Sequence, residues 1–422
     1  MPGAVDRPAL SDILPPLIFG TATFNTQYNE DPYALDTTGL VQHALSVGVR
    51  AFDTSPYYGP AEVLLGTALN SPEISEHFPR SEYHILTKIG RFAADEFDYS
   101  PEWIRKSISR SLSRFQTDYL DLVYCHDVEF VSQDEAIGAV KELRRIRDEE
   151  GTIRYVGISG YPLEVLCQIA ERVLRETGEP LDAVMSYANF TLQNTTLATM
   201  GVKRLKAAGV DVVPNASPLG MGLLRKVGPP AGLTDWHPAG QDLRNAIRRA
   251  SDFCDYHDER IEVVAIRYAL ERWLKVGSSV GSYGDPASGL PWKRQTVQDI
   301  GGKKLGVSVI GVSNAAELTK TMAVWRSILD GLENGQELAN AAGRWQKEHE
   351  WSLNRRRAII LLAEGVHETL GDFVDYTWPS PPPGFKNKRQ QRTDEDVWPT
   401  PSASPMPEDK QLELPERSRA KN

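Results

Sequence analysis

Short apolar runs alternate with longer amphipathic stretches along most of this chain. Between the apolar runs, stretches such as Pro101–Phe115 place Ile104, Ile108 and Leu112 four positions apart, which is typical of an amphipathic helix. Apolar runs of this length predict strands buried on both faces of a parallel sheet. The eight strand-like runs cover residues 16–20, 49–53, 83–88, 120–126, 155–159, 181–187, 210–216 and 307–312. Eight such units predict a (β/α)8 barrel, the TIM-barrel fold.

An open, doubly wound sheet would produce the same alternation of strands and helices. That fold is usually accompanied by a glycine-rich phosphate loop after its first strand. The sequence contains no GxGxxG after the first apolar run and no GxxxxGK[ST] at any position. The closed barrel is therefore the favoured architecture.

Two regions interrupt the alternation. Residues 1–377 are assigned to the barrel, and within them residues 277–306 are rich in glycine and serine and predict an inserted surface loop. In a barrel, a helix-to-strand connection lies on the face opposite the active site. From residue 378 onward the chain is rich in proline and poor in apolar residues, which predicts a disordered tail. A docking segment for a protein partner is the alternative interpretation of that tail.

Composition and charge narrow the class of protein. The 422 residues are 41% hydrophobic and 25% charged, as in an ordinary globular protein, and the net charge of −10 argues against a nucleic-acid-binding surface. Three scattered cysteines, without CxxC spacing, predict neither a disulfide framework nor a metal site, and they fit a reducing compartment. We find no signal pattern and no apolar run near the ~20 residues of a membrane helix. A cytoplasmic protein without a membrane partner is expected.

Polar residues end three consecutive strand-like runs. Asp53, Lys88 and His126 stand at those ends, and Tyr58 follows Asp53 in the next loop. Because the carboxyl ends of barrel strands open onto one cavity, these side chains are expected to converge. Taken singly, each has an ordinary structural explanation. Asp53 could cap the following turn, Lys88 could extend into solvent, and His126 could be a hydrogen-bonded histidine of the core. Their convergence favours a catalytic role for the group.

Such a group suits the interconversion of a carbonyl and an alcohol. An ammonium about 4 Å from a phenol would favour the phenolate by about 4 kcal/mol at an effective dielectric constant of about 20. Lys88 is thus expected to lower the pKa of Tyr58 by roughly three units before screening. Asp53 would keep Lys88 charged, and His126 would donate a hydrogen bond to the substrate oxygen. Tyr57, one position earlier, has the same phenol side chain and is the alternative candidate for the role of Tyr58.

Three motifs resemble the signature of the aldo-keto reductase family. They read Asp-Thr-Ser-Pro-Tyr-Tyr-Gly at 53–59, Leu-Thr-Lys-Ile-Gly at 86–90 and Asp-Leu-Val-Tyr-Cys-His-Asp at 121–127. The resemblance extends from about residue 16 to residue 378. It implies a (β/α)8 barrel, a nicotinamide cofactor bound without a Rossmann domain, and Tyr58 as the acid/base supported by Asp53, Lys88 and His126.

The same resemblance implies a set of cofactor contacts. Ser159 would hold the nicotinamide amide, but Gly160 stands where the family carries an asparagine, and Ala216 stands where it carries an aromatic residue. The remaining implied contacts are Ser217, Leu219 and Gly220 for the pyrophosphate and Ser313, Asn314 and Glu317 for the adenosine.

Glu317 bears on the choice between NAD and NADP. It occupies a position where NADPH-preferring members carry a basic residue for the 2′-phosphate. A carboxylate would repel that phosphate and could accept hydrogen bonds from the ribose hydroxyls, so NAD is expected rather than NADP. The alternative is an acidic residue at a helix N-terminus, favoured there by the helix dipole.

Further segments resemble one branch of the family. Residues 187–197, 216–224 and 376–380 are similar to members that oxidise aldoses of the D-arabinose or L-galactose type at C1 to lactones. The implied substrate is a small sugar, with pyridoxal and L-fucose also open. Two other functions remain: an NADPH-dependent aldehyde or pyridoxal reductase, and a non-catalytic member like the channel-associated subunits.

Overall fold

Eight parallel strands close into a single barrel, as the alternation predicts. The computed structural model describes residues 7–229, 237–284, 304–332 and 344–389. Each strand pairs with the next in chain order, and the last pairs with the first through Leu17 and Ser308. The strands are Leu17–Gly20 (β1), Ala51–Asp53 (β2), His84–Ile89 (β3), Leu120–His126 (β4), Ile153–Gly160 (β5), Ala183–Tyr187 (β6), Asn215–Ala216 (β7) and Ser308–Gly311 (β8).

Helices connect the strands and cover the outside of the barrel. Gln133–Glu149 is typical of how they begin, because the Ser132 hydroxyl and the Glu135 carboxylate cap each other's backbone amides. No helix within the described ranges is both long enough and apolar enough to cross a bilayer. The α-helices are Leu10–Ile13, Thr37–Ser46, Ala61–Leu69, Pro72–Ser75, Pro101–Phe115, Gln133–Glu149, Leu163–Thr177, Val202–Ala207, Gln241–Tyr256, Ile261–Val276, Ala315–Asp330 and Arg344–Leu370.

The amino-terminal end of the barrel is closed by the start of the chain. Leu10 and Leu14 pack into the same buried cluster as Leu86 and Leu122. The Tyr155 hydroxyl donates a hydrogen bond of 2.7 Å to a backbone carbonyl of this segment. Apolar side chains therefore fill this end, and the polar residues predicted from the strand ends lie at the opposite end.

β7 is shorter than the predicted run of residues 210–216. Val212 forms only an isolated bridge to Ala183, and the Val213 amide donates instead to the Val280 carbonyl at 2.8 Å. Only Asn215 and Ala216 pair regularly with the neighbouring strands and form β7. The apolar run continues as buried backbone whose hydrogen bonds are satisfied outside the regular ladder.

The ends of the predicted insertion, residues 277–306, are attached at the closed end of the barrel. Ser282 and Leu305 exchange backbone hydrogen bonds of 2.8 and 2.7 Å. The Ser282 hydroxyl donates to the carbonyls of Ser11 and Leu14. The connection thus lies opposite the polar strand ends. Its central part, residues 285–303, is outside the described residues, and the surface loop there stays a prediction.

The predicted disorder from residue 378 is wrong for residues 378–389, which we call the strap. The Trp378 ring is buried and stacks on Tyr161 with 4.7 Å between ring centroids. Asn387 exchanges two hydrogen bonds of 2.9 Å with the backbone of Phe97. Few residues of the strap are apolar, but its aromatic side chains fit gaps between loops, which an average composition does not reveal. The predicted tail from residue 390 lies outside the described residues.

Candidate active site

A buried ion pair joins the ends of β2 and β3. The Lys88 ammonium donates hydrogen bonds of 2.7 Å to Asp53 Oδ1 and 2.8 Å to the Thr54 carbonyl. Only 3% of Asp53 and 1% of Lys88 are exposed. Burial raises the pKa of Asp53, and the Lys88 charge offsets only part of that effect. The two predicted residues therefore meet as a compact, nearly neutral pair.

Tyr58 and His126 lie against this pair. The Lys88 Nζ atom is 4.9 Å from the centroid of the Tyr58 ring. The Tyr58 and His126 rings are perpendicular, with 5.7 Å between their centroids. Tyr58 is half-buried, whereas His126 is buried. The fold thus brings all four predicted catalytic residues together at the carboxyl ends of β2, β3 and β4.

The predicted effect of Lys88 on Tyr58 is wrong in this structure. Burial raises the pKa of the Tyr58 phenol well above its ordinary value, and the Asp53 and Asp127 carboxylates raise it further. Among the described contacts, no hydrogen bond joins the Lys88 ammonium to the Tyr58 hydroxyl. The ammonium instead donates to Asp53, which cancels most of its charge. At neutral pH Tyr58 is a phenol that can donate a proton.

His126 is a neutral imidazole with an assignable tautomer. Burial lowers its pKa to about 3. Its Nδ1 atom is 3.0 Å from the Ser55 hydroxyl, which already accepts the Tyr57 amide at 3.1 Å. The Ser55 hydrogen is available to donate to Nδ1, and Nε2 lies 3.6 Å from the Asp127 carboxylate, so the tautomer with its hydrogen on Nε2 is favoured. Sequence reasoning missed Ser55, although it stands two residues after the end of β2.

A second charged group beside His126 was also missed. Arg91 forms a buried ion pair with Asp127, and its Nη2 donates to the Tyr57 hydroxyl at 3.1 Å. The guanidinium carbon lies 3.9 Å from the Tyr57 ring centroid. Arg91 stands two residues after the end of β3 and Asp127 directly follows β4, so the rule that identified Lys88 and His126 applies to them as well.

Glu129 explains why Gly160 stands where the family resemblance implies an asparagine. A Cβ atom on Gly160 would lie 2.4 Å from Glu129 Oε2, so a side chain there would collide with the carboxyl group. Glu129 Oε1 accepts hydrogen bonds from the Tyr161 amide at 3.2 Å and the Ser380 hydroxyl at 3.0 Å. Burial, with a smaller effect of Asp127, raises the pKa of Glu129 to about 8. A protonated carboxyl group therefore fills this space at neutral pH.

The predicted cofactor contacts lie at the same end of the barrel as the catalytic group. Ser159 pairs with His126 across β4 and β5. Ser217 and Gly220 belong to a tight turn after β7, closed by a 2.8 Å hydrogen bond from the Gly220 amide to the Ser217 carbonyl. Leu219 lies in the same turn, where its carbonyl accepts the amide of Leu224 at 3.0 Å.

The last three predicted contacts form the start of the helix Ala315–Asp330. Asn314 Oδ1 accepts the Glu317 amide at 2.9 Å, and Glu317 Oε2 accepts the Ser313 amide at 2.8 Å. This reciprocal cap matches the alternative interpretation of Glu317 as a helix N-terminal acid. The carboxylate is exposed, so it still places a negative charge at this rim. Its contact with a ribose stays a prediction.

The residues at this rim fit a nicotinamide dinucleotide. The hydroxyls of Ser159, Ser217 and Ser313 supply donors and acceptors at the ends of β5, β7 and β8. The helix that begins at Ala315 directs its first backbone amides towards the rim, where a phosphate is favoured. Ala216 contributes only a methyl group at the end of β7, where it is buried.

Comparison with known proteins agrees with this geometry. A sequence model of the Aldo/keto reductase family matches residues 16–335. The chain is 41% identical to a D-arabinose 1-dehydrogenase of Saccharomyces cerevisiae over 267 residues, which are 63% of this chain and 78% of that protein. It is 38% identical to an L-galactose dehydrogenase of Arabidopsis thaliana over 238 residues, 56% of this chain and 70% of that protein.

A solved structure supports the fold alone. A glycerol dehydrogenase from Gluconobacter oxydans superimposes with a TM-score of 0.53 at 17% identity, covering 89% of this chain and 97% of that one. The family model over residues 16–335 and the two dehydrogenases at 41% and 38% identity show that the chain belongs to the aldo/keto reductase family, whose enzymes use nicotinamide cofactors.

Proposed function

We propose that the protein is an NAD-dependent dehydrogenase that oxidises a small aldose at C1 to its lactone. The observation that carries this proposal is the convergence of Asp53, Tyr58, Lys88 and His126 at the rim that also holds Ser159 and Ser217. The names of the yeast and plant relatives, a D-arabinose 1-dehydrogenase and an L-galactose dehydrogenase, support an aldose as the substrate.

In this mechanism two groups bind the substrate oxygen. His126 donates its Nε2 hydrogen to the C1 oxygen, and it does so as a neutral ring because burial holds its pKa at about 3. Tyr58, as phenolate, accepts the proton of the C1 hydroxyl while the C1 hydride leaves. A bound nicotinamide cofactor supplies the hydride acceptor and, when oxidised, one positive charge. The product has a carbonyl at C1, which in the cyclic sugar is a lactone.

The charges around Tyr58 predict how the rate of oxidation depends on pH. The raised pKa of Tyr58 makes the phenolate scarce at neutral pH. The positive charge that an oxidised cofactor would bring opposes the effect of the Asp53 and Asp127 carboxylates and so lowers the pKa of Tyr58. Oxidation is therefore expected to accelerate as the pH rises above neutral, because the reactive phenolate becomes more abundant.

The experiment measures NAD reduction by the purified protein with D-arabinose and with L-galactose, followed by the absorbance of the reduced cofactor. The parent protein is expected to oxidise at least one of them. The Tyr58→Phe variant is expected to lose about 10²- to 10⁴-fold in kcat, since it has lost its acid/base, while cofactor affinity remains. Near-parental turnover by this variant would refute the role of Tyr58. Tyr33→Phe, at an exposed tyrosine, is the matched control.

The choice of NAD rests on the exposed carboxylate of Glu317. The ratio of kcat/KM for NAD to that for NADP is expected to exceed one in the parent protein and to fall in Glu317→Arg, because arginine attracts the 2′-phosphate. Glu317→Gln is the matched control, since glutamine keeps the helix cap but removes the charge. A parent protein with a strong preference for NADP contradicts this part of the proposal.

One observation favours a second function, the NADPH-dependent reduction of an aldehyde. A phenol with a raised pKa holds the proton that reduction delivers to the carbonyl oxygen. The same preparation supplied with an aldehyde such as pyridoxal and with NADPH separates the two functions. Faster reduction of the aldehyde than oxidation of any sugar would favour the reductase.

A further inference from the structure

A buried carboxylate oxygen beside His126 has no hydrogen-bond partner among the described residues. Asp127 follows β4 directly in a left-handed conformation, with φ of 54°. Its Oδ2 atom accepts the Arg91 guanidinium and lies 3.6 Å from His126 Nε2. Its Oδ1 atom is buried and unpaired. Leaving an acceptor of a charged group unpaired is costly, so Oδ1 is suited to a donor that a ligand brings.

This carboxylate lies beside the reaction site, because its Oδ2 atom is 3.6 Å from the His126 nitrogen assigned to the substrate oxygen. Burial acts to raise the pKa of Asp127, but the charge and the hydrogen bond of the adjacent Arg91 guanidinium help to bring it below its ordinary value, so the group is ionised at neutral pH. Its negative charge in turn raises the pKa values of the Tyr58 and Tyr187 phenols, after the larger effect of burial. Asp127 is therefore electrostatically coupled to the catalytic groups.

Tyr57 supplies a donor next to this acceptor. Its hydroxyl accepts a hydrogen bond from Arg91, which leaves its own hydrogen available to a ligand. The Tyr57 ring is half-buried and lies edge-on to the His126 ring, with 5.8 Å between centroids. Because one guanidinium binds both Asp127 and the Tyr57 hydroxyl, it fixes the acceptor and the donor relative to each other.

We propose that Asp127 and Tyr57 form a subsite for a substrate hydroxyl on the carbon next to the reacting carbon. This inference rests on the proposed function and extends it to substrate choice. A hydroxyl donates to Asp127 Oδ1 and accepts from the Tyr57 hydroxyl at the same time. A substrate with a carboxylate on this carbon is repelled by Asp127, and a substrate that lacks the hydroxyl leaves Asp127 Oδ1 unpaired. The favoured class is a neutral sugar with a hydroxyl at C2.

The test compares a pentose with its 2-deoxy counterpart. The parent protein is expected to prefer D-arabinose to 2-deoxy-D-ribose by about 10- to 100-fold in kcat/KM, as expected for a hydrogen bond to a charged group. In Asp127→Asn the amide oxygen stays with Arg91, so its NH₂ group replaces Oδ1 and the acceptor becomes a donor. This preference should then fall below about threefold, because any effect of the lost charge on Tyr58 is common to both sugars and cancels in their ratio. A preference unchanged from the parent overturns the subsite.

Two further variants keep the test decisive. Tyr57→Phe removes only the donor, so it should reduce the preference by a smaller factor, and it serves if Asp127→Asn does not fold. Asp121→Asn, an equivalent change at the closed end of the barrel, should leave the preference unchanged.

A measurement of sugar binding distinguishes failure of the subsite proposal from failure of the proposed reaction. Calorimetric titration of both sugars into the NAD-bound protein gives the preference even if no sugar is oxidised. Absent oxidation with tighter binding of D-arabinose contradicts the proposed function and supports the subsite. Equal binding of the two sugars, with or without oxidation, overturns the subsite.

Discussion

Two carboxylates at opposite ends of β4 have opposite surroundings. Asp121, near the start of the strand, has both oxygens paired: Oδ2 accepts Arg80 at 2.6 Å and the Ile85 amide at 2.9 Å, and Oδ1 accepts His84 at 3.3 Å. Asp127, just after the end of the strand, has one oxygen paired with Arg91 and one buried without a partner among the described residues.

The same contrast extends to the rest of the open end. Asp53 Oδ2 and Glu129 Oε2 are also buried without a partner in the described part of the chain. At the closed end, the carboxylate of Asp121 is fully used in holding β3 and β4 together. All four residues are buried acids, and they differ in that each of the three at the open end keeps one oxygen without a partner among the described residues.

The largest effect is expected from Asp53→Asn. It removes the charge that compensates the buried Lys88 ammonium, so we expect kcat to fall by about 10²- to 10⁴-fold. The amide can still accept a hydrogen bond from Lys88, so the fold should persist. Steady-state kinetics and a thermal melt of the same preparation give the two results. A variant that keeps its activity but melts at a lower temperature would place Asp53 with Asp121 as a structural residue.

A smaller effect, and one on stability alone, is expected from Asp121→Asn. Loss of one partner of a buried charge cluster should lower the free energy of unfolding by about 3 kcal/mol. The kcat of the folded protein should stay within about twofold of the parent, because the change is far from the open end. Urea unfolding measures the loss, with Asp118→Asn at an exposed position as the control. A fall in kcat without loss of stability would remove the contrast between the two ends.

The smallest effect concerns the pH dependence of stability. Glu129 has a pKa of about 8 in the folded protein and an ordinary value of 4.5. Between these values the folded chain holds a proton that the unfolded chain releases, so this residue destabilises the fold as the pH rises from 5 to 8. We expect Glu129→Gln to remove about 2 kcal/mol of that decline. Urea unfolding of parent and variant at pH 5 and pH 8 measures it. Parallel pH profiles would contradict the raised pKa.

The barrel and the meeting of the four catalytic candidates could be predicted because both follow from chain order. Apolar runs give the strands, and the ends of parallel strands share one face. Arg91 and Asp127 obey the same rule and could have been included. The roles of Arg91 and Asp127 stay predictions, like those of the four catalytic candidates and of the cofactor contacts.

The surroundings of Tyr58 and Glu129 could not be read in this way. The pKa of Tyr58 depends on where Lys88 directs its hydrogen bonds and on the depth of burial, neither of which the motif specifies. The contact of Gly160 with Glu129 joins residues far apart in sequence. The strap was missed because a few aromatic contacts, such as Phe385 against Phe130 at 4.9 Å, outweigh a polar composition.

The strap joins loops that follow three successive strands. It contacts the loop after β3 through Phe97, the loop after β4 through Glu129, and the end of β5 through Tyr161. Local unfolding of the strap would therefore release all three loops together rather than one at a time. The rim of the barrel would then open as one cooperative unit, and the combined free energy of the three attachments sets how often it does so.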